Sequence, residues 1–89
     1  TNSIYEGDIH NAIREGKGKL TMPNGDIYEG DFKNDRLTGK GVMFYDKGIY
    51  RGDFVDGKFH GKGTIHLKNG ARYEGEFRDN RIFKDDSDL

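Results

Sequence analysis

The chain repeats itself, and the period of that repeat constrains its fold more than anything else in it. Tyr5-Glu6-Gly7-Asp8-Ile9 returns as Tyr28-Glu29-Gly30-Asp31-Phe32, then as Tyr50-Arg51-Gly52-Asp53-Phe54, and a fourth time as Tyr73-Glu74-Gly75-Glu76-Phe77. Eleven positions after each of the first three tyrosines stands a Gly-Lys-Gly, ending at Gly18, Gly41 and Gly63. Seven residues further on comes a turn glycine: Gly25, Gly48 and Gly70. Self-similarity at such a period marks a stacked array. Units of such arrays touch mainly their neighbours, so the pattern sets the architecture and favours binding over catalysis.

Within a unit the apolar residues alternate with period two. Tyr28, Gly30 and Phe32 share one face of an extended segment, and Glu29 and Asp31 the other. Gly16, Gly18, Leu20 and Met22 do the same against Lys17, Lys19 and Thr21. Nothing sustains the apolar spacing of a helix. The alternation predicts an all-β, antiparallel chain with about seven strands, near 4–9, 17–22, 26–32, 40–45, 49–54, 62–67 and 71–77.

Parity types the turns, because directly opposed residues in an antiparallel pair share a face. Leu20 and Tyr28 share the aromatic face if the loop is Pro23-Asn24-Gly25, with glycine at a positive-φ position. Lys68-Asn69-Gly70 repeats that loop. The middle unit is one residue shorter, and a two-residue loop, Lys47-Gly48, then pairs Tyr45 with Tyr50. This register sets Gly18 against Gly30 and Gly63 against Gly75, leaving gaps into which tyrosine rings lean. On the other face it sets Lys17 against Asp31, Lys19 against Glu29 and Lys62 against Glu76: a solvated, salt-bridged surface rather than catalytic carboxylate pairs. Longer connections are expected around 10–16, 33–39 and 55–61, with Ile13, Leu37 and Phe59 folding back over the aromatic face.

After these motifs the unit is identifiable. Tyr-x-Gly-x-Phe, then Gly-Lys-Gly, then Asn-Gly, resembles the MORN (membrane occupation and recognition nexus) repeat, most closely from Tyr50 through His60-Gly61-Lys62-Gly63. The resemblance covers about residues 5–83, as units 5–27, 28–49, 50–72 and a partial 73–83. It implies one β-hairpin per repeat, strung into an elongated, single-layer, twisted sheet, with Gly18, Gly30, Gly41, Gly52, Gly63 and Gly75 as structural glycines. It also implies a scaffold. Such repeats occur in junctophilins, in some histone methyltransferases, and fused to phosphatidylinositol-phosphate kinases of plants and protists. The family's mid-repeat glycine is replaced by Ala12, Asp35 and Asn80 and kept only as Gly57; its histidine is kept only as His60. The last unit lacks the Gly-x-Gly, and 84–89 reads as an acidic, disordered tail.

Composition narrows the function classes. Basic and acidic residues number 15 and 16, interleaved, for a net charge of −1. No basic field of a nucleic-acid binder shows, so no nucleic-acid partner is expected. Cysteine is absent, which removes thiolate metal sites and fits an intracellular origin; the expected localisation is intracellular and cytoplasmic, at a membrane or the cytoskeleton. No apolar run of about 18 residues predicts a transmembrane segment. The first residue is not Met, and the sequence reads as a piece of something longer. His10, His60 and His66 fall in different units without metal-ligand spacing, and Gly61-Lys62-Gly63-Thr64 lacks the context of a phosphate loop. No catalytic residue, metal or cofactor is expected.

Two surfaces are candidates for a protein partner or for self-association. One is the aromatic face, with Tyr28, Tyr50 and Phe54. The other belongs to the middle unit, where Val42 and Phe44 stand in place of Lys19 and Thr21, with Ile27, Ile49 and Val55 nearby. Two alternatives are an accessory, targeting or regulatory segment of a phosphatidylinositol-phosphate kinase, and weak phospholipid contact through a basic rim of Lys33, Arg36, Lys58, Arg78, Arg81 and Lys84.

Overall fold

A computed structural model describes residues 3–85. Every described strand lies in one antiparallel sheet in sequence order: β1 Ile4–His10, β2 Ile13–Thr21, β3 Ile27–Lys33, β4 Arg36–Tyr45, β5 Gly48–Val55, β6 Lys58–Leu67, β7 Arg72–Arg78 and β8 Arg81–Asp85. The described residues contain no helix. The sheet is a single elongated layer, 45 × 22 × 16 Å overall. The strand count is eight rather than about seven, because the chain turns at Asp79-Asn80 and adds β8 beyond Phe77. Lys84 and Asp85 belong to that strand, while residues 86–89 of the expected tail lie outside the described residues.

The three-residue loops form as parity requires. The Gly25 amide donates to the Met22 carbonyl at 2.9 Å, and the Met22 amide to the Asp26 carbonyl at 2.8 Å. Gly25 takes φ 97°, the conformation that excludes a side chain at low energy. Gly70, at φ 95°, repeats the arrangement between Leu67 and Ala71. The short middle loop differs from expectation. It is Asp46-Lys47, with Tyr45 opposite Gly48 and Tyr50 opposite Met43, a slip of two residues. The slip keeps Tyr45 on the aromatic face and brings Gly41 opposite Gly52. Pairing glycine with glycine decides the register, and Gly48 then fits against the His66 carbonyl and Leu67, where no side chain would. Glycine thus forms a continuous row across the first seven strands: Gly7, Gly18, Gly30, Gly41, Gly52, Gly63 and Gly75.

The long connections expected at 10–16, 33–39 and 55–61 do not exist. Each collapses into a two-residue turn: Asn11-Ala12, Asn34-Asp35 and Asp56-Gly57, with Asp79-Asn80 the fourth. Both turn residues have positive φ, from 50° at Asn11 to 80° at Gly57, the signature of type I′ hairpins. The family's mid-repeat glycine is therefore the second turn residue. Leu37 and Phe59 do reach the aromatic face and are buried there. Ile13 does not: it stays 40 % exposed on the outer face. Its expected place is taken by Arg14, whose guanidinium sits 5.6 Å from the Tyr5 ring centre and 5.5 Å from that of Phe32.

The core is the aromatic face: Phe32, Leu37, Tyr50, Phe54, Phe59 and Phe77, with Tyr28, Met43, Tyr45 and Ile65 packed against it. Tyr50 lies at its centre, stacked on Phe59 at 3.9 Å and edge-on to Phe54 and Phe77 at 5.1 Å each.

Candidate functional site

Each unit grips the next through the same small set of contacts. The strand-leading tyrosine meets the strand-closing aromatic of the following unit: Tyr5 with Phe32 at 5.2 Å, Tyr28 with Phe54 at 6.4 Å, Tyr50 with Phe77 at 5.1 Å. The lysine of one unit's Gly-Lys-Gly pairs with the acid of the next: Lys17 with Asp31, Lys40 with Asp53, and Lys62 with Glu76 at 3.6 Å. Lys17 holds the Asp31 carboxyl below the usual carboxylate range. The second turn residue donates its amide to a carbonyl of the preceding unit: Asp35 to Arg14, Gly57 to Leu37, Asn80 to Phe59, at 2.8 to 3.0 Å. Asp35 adds its carboxylate, which accepts from Arg14 Nε at 2.8 Å. These bonds pair four basic side chains with four acidic ones of the next unit.

The glycines make this possible. A Cβ on Gly18 would run into the Tyr5 ring, and one on Gly63 into the Tyr50 ring. The Tyr5 hydroxyl donates to the Asp8 carbonyl at 2.7 Å and the Tyr50 hydroxyl to the Asp53 carbonyl at 2.8 Å, each at a register shift in the strand. Tyr28 departs from the pattern. It makes neither contact, and Phe54 lies against Gly41 instead. An open slot of about 180 Å³ remains between Leu20, Tyr28, Phe32 and Leu37.

The candidate partner residues divide into three groups. Tyr50 and Phe54 are 0 % and 1 % exposed; they are core and present no surface. Tyr28 is half-buried at the slot. On the outer face Ile27 opposes Phe44, and Phe44 opposes Ile49, in one cross-strand row that Val42 flanks. All four are half-buried. Val55 is not contiguous with them: it pairs with Lys58 at the opposite rim. Ile4, at 61 % exposure, lies in the same row across β2 and was not anticipated, although its place before Tyr5 matches that of Ile27 before Tyr28.

Of the basic residues, Lys33 stands directly opposite Arg36, and Arg78 opposite Arg81. Arg36 pairs with Asp56 at 3.4 Å, and Arg78 lies over the Phe83 ring at 3.9 Å. Among the described residues no group of His, Asp and Glu is placed to hold a metal ion. Among the described residues no helix is long and apolar enough to cross a membrane.

A search of the curated proteins returned no match. The MORN repeat family model matches four consecutive segments, 5–27, 28–49, 50–72 and 73–82. Those segments begin at the four tyrosines whose rings and strands build the array, and they cover nearly all of the sheet. By that match, and by one hairpin per matched segment, this chain belongs to the MORN repeat family.

Proposed function

We propose that the chain is a non-catalytic interaction module, a rigid MORN-repeat scaffold that holds a protein partner or another copy of itself. The observation that carries this reading is the outer row Ile27–Phe44–Ile49 with Val42 beside it. The equivalent outer positions of the first unit are Lys19 and Thr21, and of the third Thr64 and His66. A repeat that keeps its structural residues but changes its solvent face to apolar in one unit has changed a surface, not a core. Contiguous exposed apolar residues rimmed by polar ones mark contact sites. Phe44→Glu tests this. The variant stays folded, its unfolding free energy lowered by about 1 kcal/mol because Phe44 is half-buried, and loses association in light scattering and partner capture. Wild type and variant that are both monomeric and capture the same proteins would refute the reading.

A second reading has its own observation. Lys33 opposite Arg36 and Arg78 opposite Arg81 place like charges across strand pairs, which disfavours the sheet. Such a rim suits an anionic phospholipid surface. Flotation with anionic vesicles that is lost as salt rises supports it; no flotation at low salt removes it.

A further inference from the structure

The apolar patch on the outer face is close to symmetric about β4. Ile27, Phe44 and Ile49 stand side by side on β3, β4 and β5, with an isoleucine on either side of the phenylalanine. Two residues along each strand, Glu29, Val42 and Arg51 stand side by side in the same way. Directly opposed residues share a face, so both rows project outwards together. The first row reads the same in both directions. The second reverses its charge, acid on one side of the valine and base on the other.

Val42 creates that reversal. In the first unit the matching row is Glu6, Lys19 and Glu29, with the lysine shared between two acids. On β4 valine replaces the lysine. Glu29 and Arg51 are then two strand spacings apart, about 9–10 Å, too far to pair with each other. Both are exposed, and among the described residues neither belongs to an ion pair. The rows around β6 do not repeat this arrangement. Ile49, His66 and Arg72 do not match in reverse, and Glu74 is already held by Arg72 at 3.3 Å.

We infer that a second copy packs on this patch, outer face to outer face, about a two-fold axis that runs along β4. The inference rests on the reading of the row as a contact surface, and it names the occupant and its orientation. A two-fold interface uses one patch on both subunits, so the patch must complement itself. This axis sets Phe44 against the partner's Phe44, Ile27 against the partner's Ile49, and Glu29 against the partner's Arg51, each of the last two twice per dimer. A two-fold axis lying across the strands would set Glu29 against its own counterpart and Arg51 against its own. Like charges so placed oppose association, and the charges therefore select the axis. Lys40, also on the axis, is held by Asp53 of its own chain. Packed sheets stand about 10 Å apart, close enough for these side chains to meet. A patch of two short rows belongs to the class of small, transient interfaces, so the dimer is weak and forms as concentration rises.

Charge swaps followed by sedimentation equilibrium test it. Wild type is expected to dimerise at concentrations up to about 1 mM. Glu29→Arg sets arginine against the partner's Arg51, and Arg51→Glu sets glutamate against the partner's Glu29. Each variant alone is expected to self-associate at least about tenfold more weakly. An equimolar mixture of the two is expected to form heterodimer, and the double variant Glu29→Arg/Arg51→Glu to recover homodimer, because both restore the opposite pairs. The double variant has the net charge of wild type, so its recovery separates the pairing from overall charge. Three outcomes would each overturn the inference: a wild type that stays monomeric, single variants that dimerise as wild type does, or a double variant that does not recover. A monomeric wild type whose partner capture is still lost with Phe44→Glu would remove the dimer and keep the interaction-module reading, so the two failures are distinguishable.

Discussion

At the scale of single residues the array depends on a tyrosine lying flat over a glycine. Tyr50 covers Gly63, and its hydroxyl reaches the Asp53 carbonyl at 2.8 Å. Gly63→Ala forces the ring off that seat. With both partners packed in the centre of the core, it should destabilise by about 1–3 kcal/mol or more, as overpacking does. Tyr50→Phe keeps the ring and loses only the hydrogen bond, for about 1 kcal/mol. Urea denaturation of the two variants separates the effects, and an order reversed from this one would mean the hydroxyl, not the close approach, holds the strand. The same side chain sets a pH limit. Burial, and then the Asp53 charge, push the Tyr50 hydroxyl up to about 12 from 10.0. Burial also raises Tyr28 and Tyr45. The folded chain therefore keeps a proton that the unfolded chain has released. Stability is unaffected below pH 10 and falls between about 10 and about 12. At roughly 1.4 kcal/mol per unit, Tyr50 alone accounts for a loss of at most about 3 kcal/mol across that window. Alkaline denaturation of Tyr50→Phe should be shallower than that of wild type by this amount; parallel curves would show that the phenol does not carry the effect.

At the scale of the hairpin, the turns hold both what sequence reading recovers and what it misses. Pro23-Asn24-Gly25 and Lys68-Asn69-Gly70 were legible because parity and glycine pointed to one loop length. The turns on the other rim were hidden. A type I′ turn is ordinarily announced by Asn-Gly or Asp-Gly. Only Asp56-Gly57 wears that form here, while Ala12, Asp35 and Asn80 hold φ of 63°, 71° and 70° without it. Asp35 and Asn80 gain from their position, since their side-chain oxygens accept the amides of Arg14 and Phe59 at 3.0 and 2.9 Å. Those bonds cross 21 residues and have no local signal. The outer apolar row was legible because only the middle unit puts apolar residues, Val42 and Phe44, at both of these outer positions; the burial of Tyr50 and Phe54 was legible only in part, because it is completed by the rings of Phe59 and Phe77 further along the chain. Ala12 has no such side-chain bond, so Ala12→Gly should stabilise by about 0.5–1 kcal/mol by relieving the left-handed backbone. Asn80→Ala should do the opposite and lower stability by about 1–2 kcal/mol, losing the bond to the buried Phe59 amide. Thermal melts read both signs, and equal shifts in one direction would mean the turns are not where strain and cross-unit bonding meet.

At the scale of the whole molecule, stability is distributed along one axis. Each unit is held by its neighbours, so an inner unit is gripped from two sides and an outer one from a single side. The burial follows this: Tyr50 and Phe54 are closed off, while Ile4, Ile9, Tyr73 and Phe83 stay open at the ends. Opening should therefore begin at the edges, and local opening free energies should rise inwards. In native-state hydrogen exchange the amides of β4, β5 and β6 are expected to be the slowest, and those of β1 and β8 the fastest. Phe54→Ala should remove about 3–5 kcal/mol, the usual loss for a buried phenylalanine, and shorten protection across every strand because it cuts the array at its middle. Tyr73→Ala, on a side chain 39 % exposed, should lower protection only in β7 and β8. Uniform protection over all eight strands, with both variants shifting it equally, would show that the sheet opens as one cooperative unit and that neighbour contacts do not act locally.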